Sequence, residues 1–175
     1  MNMEILGDFI KILLPAAVVL YAMYLTVRTL TTKEFEKKVL ELKSQNTAIV
    51  LPLRLQAYER MSLFLERISP HNLVIRINNP AYNSSAFQQV LLNEIREEFN
   101  HNLSQQVYMS DQSWALIKQA MEETISIVNK SASVVPPDAK SLELAKMIFE
   151  NLLQRTEDPT AKALRFIKNE IRQVF

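Results

Sequence analysis

Two histidines, His71 and His101, are the side chains of this chain best suited to proton transfer or metal binding. His101 stands three residues after Glu98. Glu-x-x-His on one helix is the spacing by which carboxylate-bridged di-iron bundles present two ligands. That site needs a second such pair and two more glutamates, and the sequence has no second Glu-x-x-His. The pair therefore reads as a polar helix end, with Glu97 as the i,i+4 neighbour of His101. Candidate nucleophiles Ser69, Ser84, Ser110 and Ser141 stand where helix caps and turns belong. The sequence thus assigns no catalytic residue, no cofactor and no metal ligand, and the expectation is a protein that is not an enzyme.

The densest polar stretch is REEFNHNLSQQVY, residues 96–108. In it Arg96, His101, Asn102, Gln105, Gln106 and Tyr108 flank a narrow apolar stripe. Two readings stand side by side: a solvated helix face whose end Tyr108 anchors, or a protein-docking surface rich in the Arg and Tyr that dominate interface hot spots. Arg54, Arg60 and Arg67 are ambiguous in the same way. They could meet partner carboxylates or lipid phosphates, and surface pairing with Glu59 and Glu66 is the simpler expectation.

Composition removes whole classes. There is no cysteine, which excludes disulfides, thiol catalysis and Cys-ligated metals. Gly7 is the only glycine, so the rest of the chain has no phosphate-cradling loop, no dinucleotide fingerprint and no nucleophile elbow. From Arg28 onward 19 Lys plus Arg face 17 Asp plus Glu, a net of +2, which argues against a nucleic-acid binder that works through a broad basic face.

The elements that would position these residues are helices. Residues 12–27, ILLPAAVVLYAMYLTV, carry no charge, and Lys11 and Arg28 bound them. Sixteen helical residues rise only about 24 Å; extending the segment to residues 9–30 gives roughly 33 Å, enough to cross a bilayer with some tilt if Lys11 and Arg28 snorkel. Tyr21 and Tyr24 suit the interface. A cleaved signal peptide fits poorly, because Glu4 and Asp8 replace a basic leader and no small-residue cleavage site follows. Arg28, Lys33, Lys37, Lys38 and Lys43 follow the span, so the positive-inside rule places the C-terminal side in the cytoplasm and the N-terminus outside. Arg28, Lys33, Lys37 and Lys38 are the candidate contacts to lipid headgroups.

The pattern predicts residues 1–30 as a transmembrane anchor, 31–48 as a helical stalk and 49–175 as a soluble helical domain. Phe35, Val39 and Leu42 continue the helix out of the span, and Gln45-Asn46-Thr47 weakens it, giving a stalk or hinge. Pro52 is expected at the start of the next helix, residues 51–68, with Leu51, Leu55, Tyr58, Leu65 and Ile68 on one face. Residues 73–77, LVIRI, are the one strand-like run. A helix capped by Ser84 or Ser85 then extends to about residue 107 with stripe Phe87, Leu91, Ile95, Phe99 and Leu103. Ser110 or Asp111 caps another with Trp114, Ile117, Met121, Ile125 and Val128. A further helix from Asp138 or Ser141 carries Leu142, Ala145, Ile148, Phe149 and Leu152. The last places Leu164, Ile167, Ile171 and Val174 together. The expected fold is all-α, a bundle of four to six helices on a helical stalk.

Three segments carry a resemblance: LPLRLQAYERM (residues 51–61), ERISPHNLV (66–74) and IREEFNHNLSQQVYMSDQSW (95–114). With the span, they are similar to an uncharacterised family of single-span proteins from Bacteroidota, a domain of unknown function. The resemblance implies a bacterial inner-membrane location and carries over no functional residue. A span followed by helix also resembles in outline the peripheral-stalk b subunit of rotary ATP synthases. Pro52, Pro70, Pro80, Pro136, Pro137 and Pro159 argue instead for a folded-back bundle. The expected function is a membrane-anchored scaffold or adaptor holding an unknown protein partner, with a membrane-bound enzyme or small-ligand binder as the alternative.

Overall fold

The computed structural model describes residues 3–173, with side-chain surroundings for Lys11 and from Leu13 onward. Val174, expected on the last stripe, lies outside the described residues, as do the side-chain surroundings of Phe9, Ile10 and Ile12 at the start of the expected span. The chain forms two compact units, Met1–Val50 and Leu51–Phe175. The elements are α1 (Met3–Ile68), α2 (Pro70–Ile77), α3 (Ser84–His101), a 3₁₀ helix (Leu103–Tyr108), α4 (Asp111–Ala132), α5 (Ser141–Leu153) and α6 (Pro159–Arg172). No strand occurs among the described residues, and the fold is all-α.

The first unit is helix alone. Leu13, Leu14, Val18, Val19, Leu20, Met23 and Leu25 are all exposed. The threonines of this helix turn their hydroxyls inward along it: Thr26 donates to the Ala22 carbonyl at 2.8 Å, Thr29 to Leu25 at 2.8 Å and Thr32 to Arg28 at 2.9 Å. No hydroxyl among these is left facing outward without an acceptor, the arrangement a helix needs where water is scarce.

Two sequence expectations fail along α1. The helix is not interrupted at Gln45-Asn46-Thr47, and Pro52 does not begin a new one. Thr47 donates to the Lys43 carbonyl at 2.8 Å, so its hydroxyl is satisfied without breaking the helix. Pro52 removes one amide donor, that opposite the Ala48 carbonyl. Both residues are exposed, so water can take the carbonyl in place of the missing amide.

In the second unit α1 contributes Tyr58, Met61, Phe64, Leu65 and Ile68 to the core. Residues 73–77 are not extended, as expected from sequence, but lie in α2. Pro70 at its first turn presets the helical φ, and the Leu73 amide donates to Ser69 at 2.8 Å. Leu73 and Val74 go into the core while Ile75 and Arg76 face out, so helical burial overrides the modest strand preference of Val and Ile.

Asn83, rather than a serine, caps α3, its Oδ1 accepting from the Ala86 amide at 2.8 Å. The extended backbone at Asn83 meets Lys140 in an isolated antiparallel bridge, with Ser84 N donating to Ala139 O at 2.7 Å and Ser141 N to Tyr82 O at 3.1 Å. That bridge ties the starts of α3 and α5 together. Asp158 caps α6 through the Thr160 amide at 2.8 Å and accepts from Ser69 at 3.3 Å, tying α6 to the α1–α2 turn.

α4 crosses α3, α5 and α6. Its buried line is Ser113, Ile117, Ala120, Thr124, Ile127 and Ser131. The expected stripe is rotated from this: Ile117 and Val128 are buried, whereas Trp114, Met121 and Ile125 pack only partly. Small residues let the neighbouring helices approach closely, and each hydroxyl is satisfied. Thr124 donates to the Ala120 carbonyl at 2.9 Å, and Ser131 accepts from Asn151 at 2.8 Å. Phe64, Phe99 and Trp114 link α1, α3 and α4 through ring centroids 5.8 and 5.4 Å apart.

Candidate functional site

α3 ends at His101, short of the expected residue 107, and the chain tightens into the 3₁₀ helix Leu103–Tyr108. Asn102 makes the junction, its side-chain amide donating to the Glu98 carbonyl at 2.8 Å. A 3₁₀ helix turns about 120° per residue against about 100° for an α-helix, so the stripe drifts round as it passes the junction. Leu103, expected in the core, is therefore 42% exposed, and Val107 is 77% exposed.

The rotated segment faces the beginning of the second unit's share of α1. Between them lies a cleft of about 410 Å³ lined by Leu53, Gln56, Arg60, Ser104, Gln105, Val107 and Tyr108. Arg54 Nε donates to the Tyr108 carbonyl at 3.3 Å and holds the two walls together. Of the six residues expected from sequence, Gln105 and Tyr108 line this cleft. Arg96, His101 and Gln106 are exposed but do not line it, and Asn102 serves as the helix junction. Leu53, Gln56, Ser104 and Val107 were not legible, because their meeting depends on where α3 gives way to the 3₁₀ helix.

Among the described residues, Arg60 is the one charged residue lining the cleft. Arg60 has no ion pair among the described residues, and Glu59 and Glu66 do not pair with the arginines as expected. Arg67 instead reaches across to α3, meeting Glu98 at 2.6 Å and Glu94 at 3.8 Å, and Glu94 also accepts from Arg76 at 2.5 Å. The reason is geometric: the carboxylates of α3 lie on the flank of the helix pair, where they bridge two helices. Glu98 is thus engaged by an arginine, and the Glu-x-x-His pair does not converge on a ligand position. His71 packs on Phe149, ring centroids 5.6 Å apart.

Behind the cleft sits a buried polar knot. Tyr58 is 3% exposed, and its hydroxyl meets no hydrogen-bond partner among the described residues. Burial pushes the Tyr58 hydroxyl above its ordinary value, with Glu170 adding to the shift and Arg54 opposing it. Glu170 accepts from the buried Ser113 hydroxyl. Desolvation would raise its carboxyl, but the hydroxyls of Ser113 and Ser110 and the charge of Arg54 outweigh that and hold the group below the ordinary range. These groups bring together residues of α1, α4 and α6.

Two further hollows lie on the opposite elements. One of about 330 Å³ is lined by residues including Glu123, Arg155, Asp158 and Lys162, and a neighbouring one of about 340 Å³ shares Glu123 and Arg155. Arg155 pairs with Glu123 at 3.2 Å between them. No group of three or more potential metal ligands converges among the described residues.

Compared with known families, residues 4–174 match the one described as "Family of unknown function (DUF7935)". No curated protein and no solved structure matches the chain.

Proposed function

We propose that this chain, which belongs to the Family of unknown function (DUF7935), is a membrane-anchored helical tether that holds a protein partner beside the membrane. The observation that carries the reading is the row of exposed apolar side chains from Leu13 to Leu30 along the first unit's helix. A bilayer covers such a helix at little cost in unpaired backbone groups, since the helical ladder pairs them internally and Pro15 withholds one amide. Arg28, Lys33, Lys37, Lys38 and Lys43 then favour a cytoplasmic C-terminal unit at the inner membrane, N-terminus outside. Arg28, Lys33, Lys37 and Lys38 contact anionic headgroups at about 1 kcal/mol each near the surface.

The working surface is the cleft between residues 53–60 and 104–108. An exposed valine, a half-exposed tyrosine and an arginine without an ion pair among the described residues suit a partner segment that offers an apolar side chain and a carboxylate. The mechanism is tethering: confinement to the membrane raises the local concentration of the partner without any chemical step. The role is non-enzymatic in this reading. His71 lies against the Phe149 ring at a tilt of 57°, and His101 stands at an exposed helix end.

The test is crosslinking of the tagged full-length chain in cells, mild detergent extraction and mass spectrometry. Recovery of one stoichiometric membrane complex, lost on Arg60→Glu with Val107→Asp, is the expected result. Recovery of the chain alone would sink the tethering role. A second reading, a small-ligand binder or enzyme, is favoured by one observation: the polar hollow where Glu123, Arg155 and Asp158 converge near the α5–α6 turn. Retained complex formation in the cleft variant, together with ligand-dependent stabilisation lost in Arg155→Ala, would move the function there.

A further inference from the structure

We propose that residues 35–49 of α1 pair with the same segment of a second copy of this chain as a short parallel two-stranded coiled coil. In the first unit Phe35, Leu42 and Ile49 are 70%, 59% and 67% exposed, and Val39 is partly covered. These residues and Asn46 follow one another at spacings of four, three, four and three. That is a heptad seam with Phe35, Leu42 and Ile49 at d and Val39 and Asn46 at a. A β-branched residue at a with leucine at d favours two strands.

Asn46 is the more telling residue. One asparagine at an a position weakens a coil but fixes its register and its two-stranded state, because the paired amides can bond only to each other. On a helix that stays single, the same position asks for nothing in particular. One ion pair lies off the seam. Lys37 and Glu41, paired at 4.0 Å, fall on the outer positions f and c. Thr47, at b, bonds back to its own helix.

A second copy is the occupant because the seam is complementary to itself: each layer faces its own kind, and Asn46 finds Asn46. Burying these side chains on both copies removes on the order of 1,000 Å² from water, about the smallest area of a specific interface. Two heptads alone are marginal, and Lys38 at g faces Lys43 of the second copy at e, a like-charge contact. Anchoring two copies in one membrane supplies the missing local concentration and enforces the parallel sense. Those two contributions rest on the anchor reading; the seam itself does not.

The absence of cysteine makes the test clean. Single cysteines replace Leu42 and Ile49, both at d, and Leu40, a 67% exposed residue at b, in the full-length chain in its own membranes. In a parallel pair the d positions come within the roughly 7 Å reach of a disulfide, whereas b positions lie on opposite outer faces. Oxidation should link Leu42→Cys and Ile49→Cys about tenfold or more in excess of Leu40→Cys; equal linking at all three, or none, would overturn the pairing. Lys38→Glu turns the like-charge contact into an attractive one, and should raise linking of Leu42→Cys about threefold at low salt, the gain fading in high salt. No gain at low salt would overturn the parallel register. An alkaline carbonate wash of the same membranes separates the two readings. Linked chain that washes off keeps the pairing and removes the anchor; chain that stays without seam-selective linking keeps the anchor and removes the pairing.

Discussion

Replacing Ser113 with alanine probes the knot that joins α4 to α6. Ser113 is fully buried, and its hydroxyl donates to the Glu170 carboxylate. A hydrogen bond to a charged acceptor contributes about 1.5–3 kcal/mol net. Glu170 is only partly covered, so water recovers some of the loss and the lower end applies. Ser113→Ala should therefore cost about 1.5 kcal/mol, with the cap of α4 intact because the Ser113 amide still donates to the Ser110 hydroxyl at 3.1 Å. Glu170→Gln should cost a similar amount, and the double variant less than the sum by at least about 0.5 kcal/mol, since both changes remove the same contact. The pH dependence follows from the lowered Glu170 pKa. A carboxyl that titrates lower in the folded chain than in the unfolded one contributes stability above its unfolded pKa of about 4.3, and that stability disappears as pH falls through the folded value. The wild type should lose stability over that acid range more steeply than Ser113→Ala. The assay is denaturant unfolding of the full-length chain in mild detergent, followed by circular dichroism from neutral to acid pH. Additive single and double variants, or parallel pH slopes, would refute the assignment.

The other predictions bear on neighbouring features. Tyr58→Phe removes a buried hydroxyl that bonds to nothing, so it should leave stability unchanged or raise it by up to about 1 kcal/mol; a loss of more than that in thermal melts would place the hydroxyl in a bond with Arg54 or Glu170. Phe64→Ala opens a cavity beneath Phe99 in the fully buried core and should cost about 3–5 kcal/mol by the same unfolding assay. Arg60→Glu, at an exposed and unpaired position, should change stability by less than about 0.5 kcal/mol yet abolish partner recovery, and a large fall in stability would show that Arg60 is structural. A peptide of residues 31–44 should bind anionic vesicles and release in salt; no binding would remove the headgroup contacts.

How much was legible depended on which physical signal set each feature. The burial of Phe87, Leu91 and Ile95 followed from strict helical spacing, and of the two caps expected for α4, Ser110 or Asp111, the chain uses Ser110. Pro52 misled because a proline in an exposed helix costs one hydrogen bond that water can replace, and sequence alone does not reveal exposure. LVIRI misled because its β-branched residues suit either state, and the burial of Leu73 and Val74 decided. In α4 the apolar residues were visible, but the axis of burial was set by Ser113, Ala120, Thr124 and Ser131, whose small size matters only once a neighbour is known. The cleft was half legible: Gln105 and Tyr108 stood out by type, whereas Leu53 and Val107 gained meaning only from the tightening of the chain after Asn102.

We propose an anchored chain with its C-terminal unit in the cytoplasm. It is tested most directly by Ser133→Cys, an exposed position on the cysteine-free full-length chain. Intact cells are treated with a membrane-impermeant thiol reagent, and their membranes are then washed with alkaline carbonate. The chain should stay in the washed membranes, and the introduced thiol should label only after permeabilisation. Release by carbonate would contradict the anchor, and labelling in intact cells would turn the second unit to the outside.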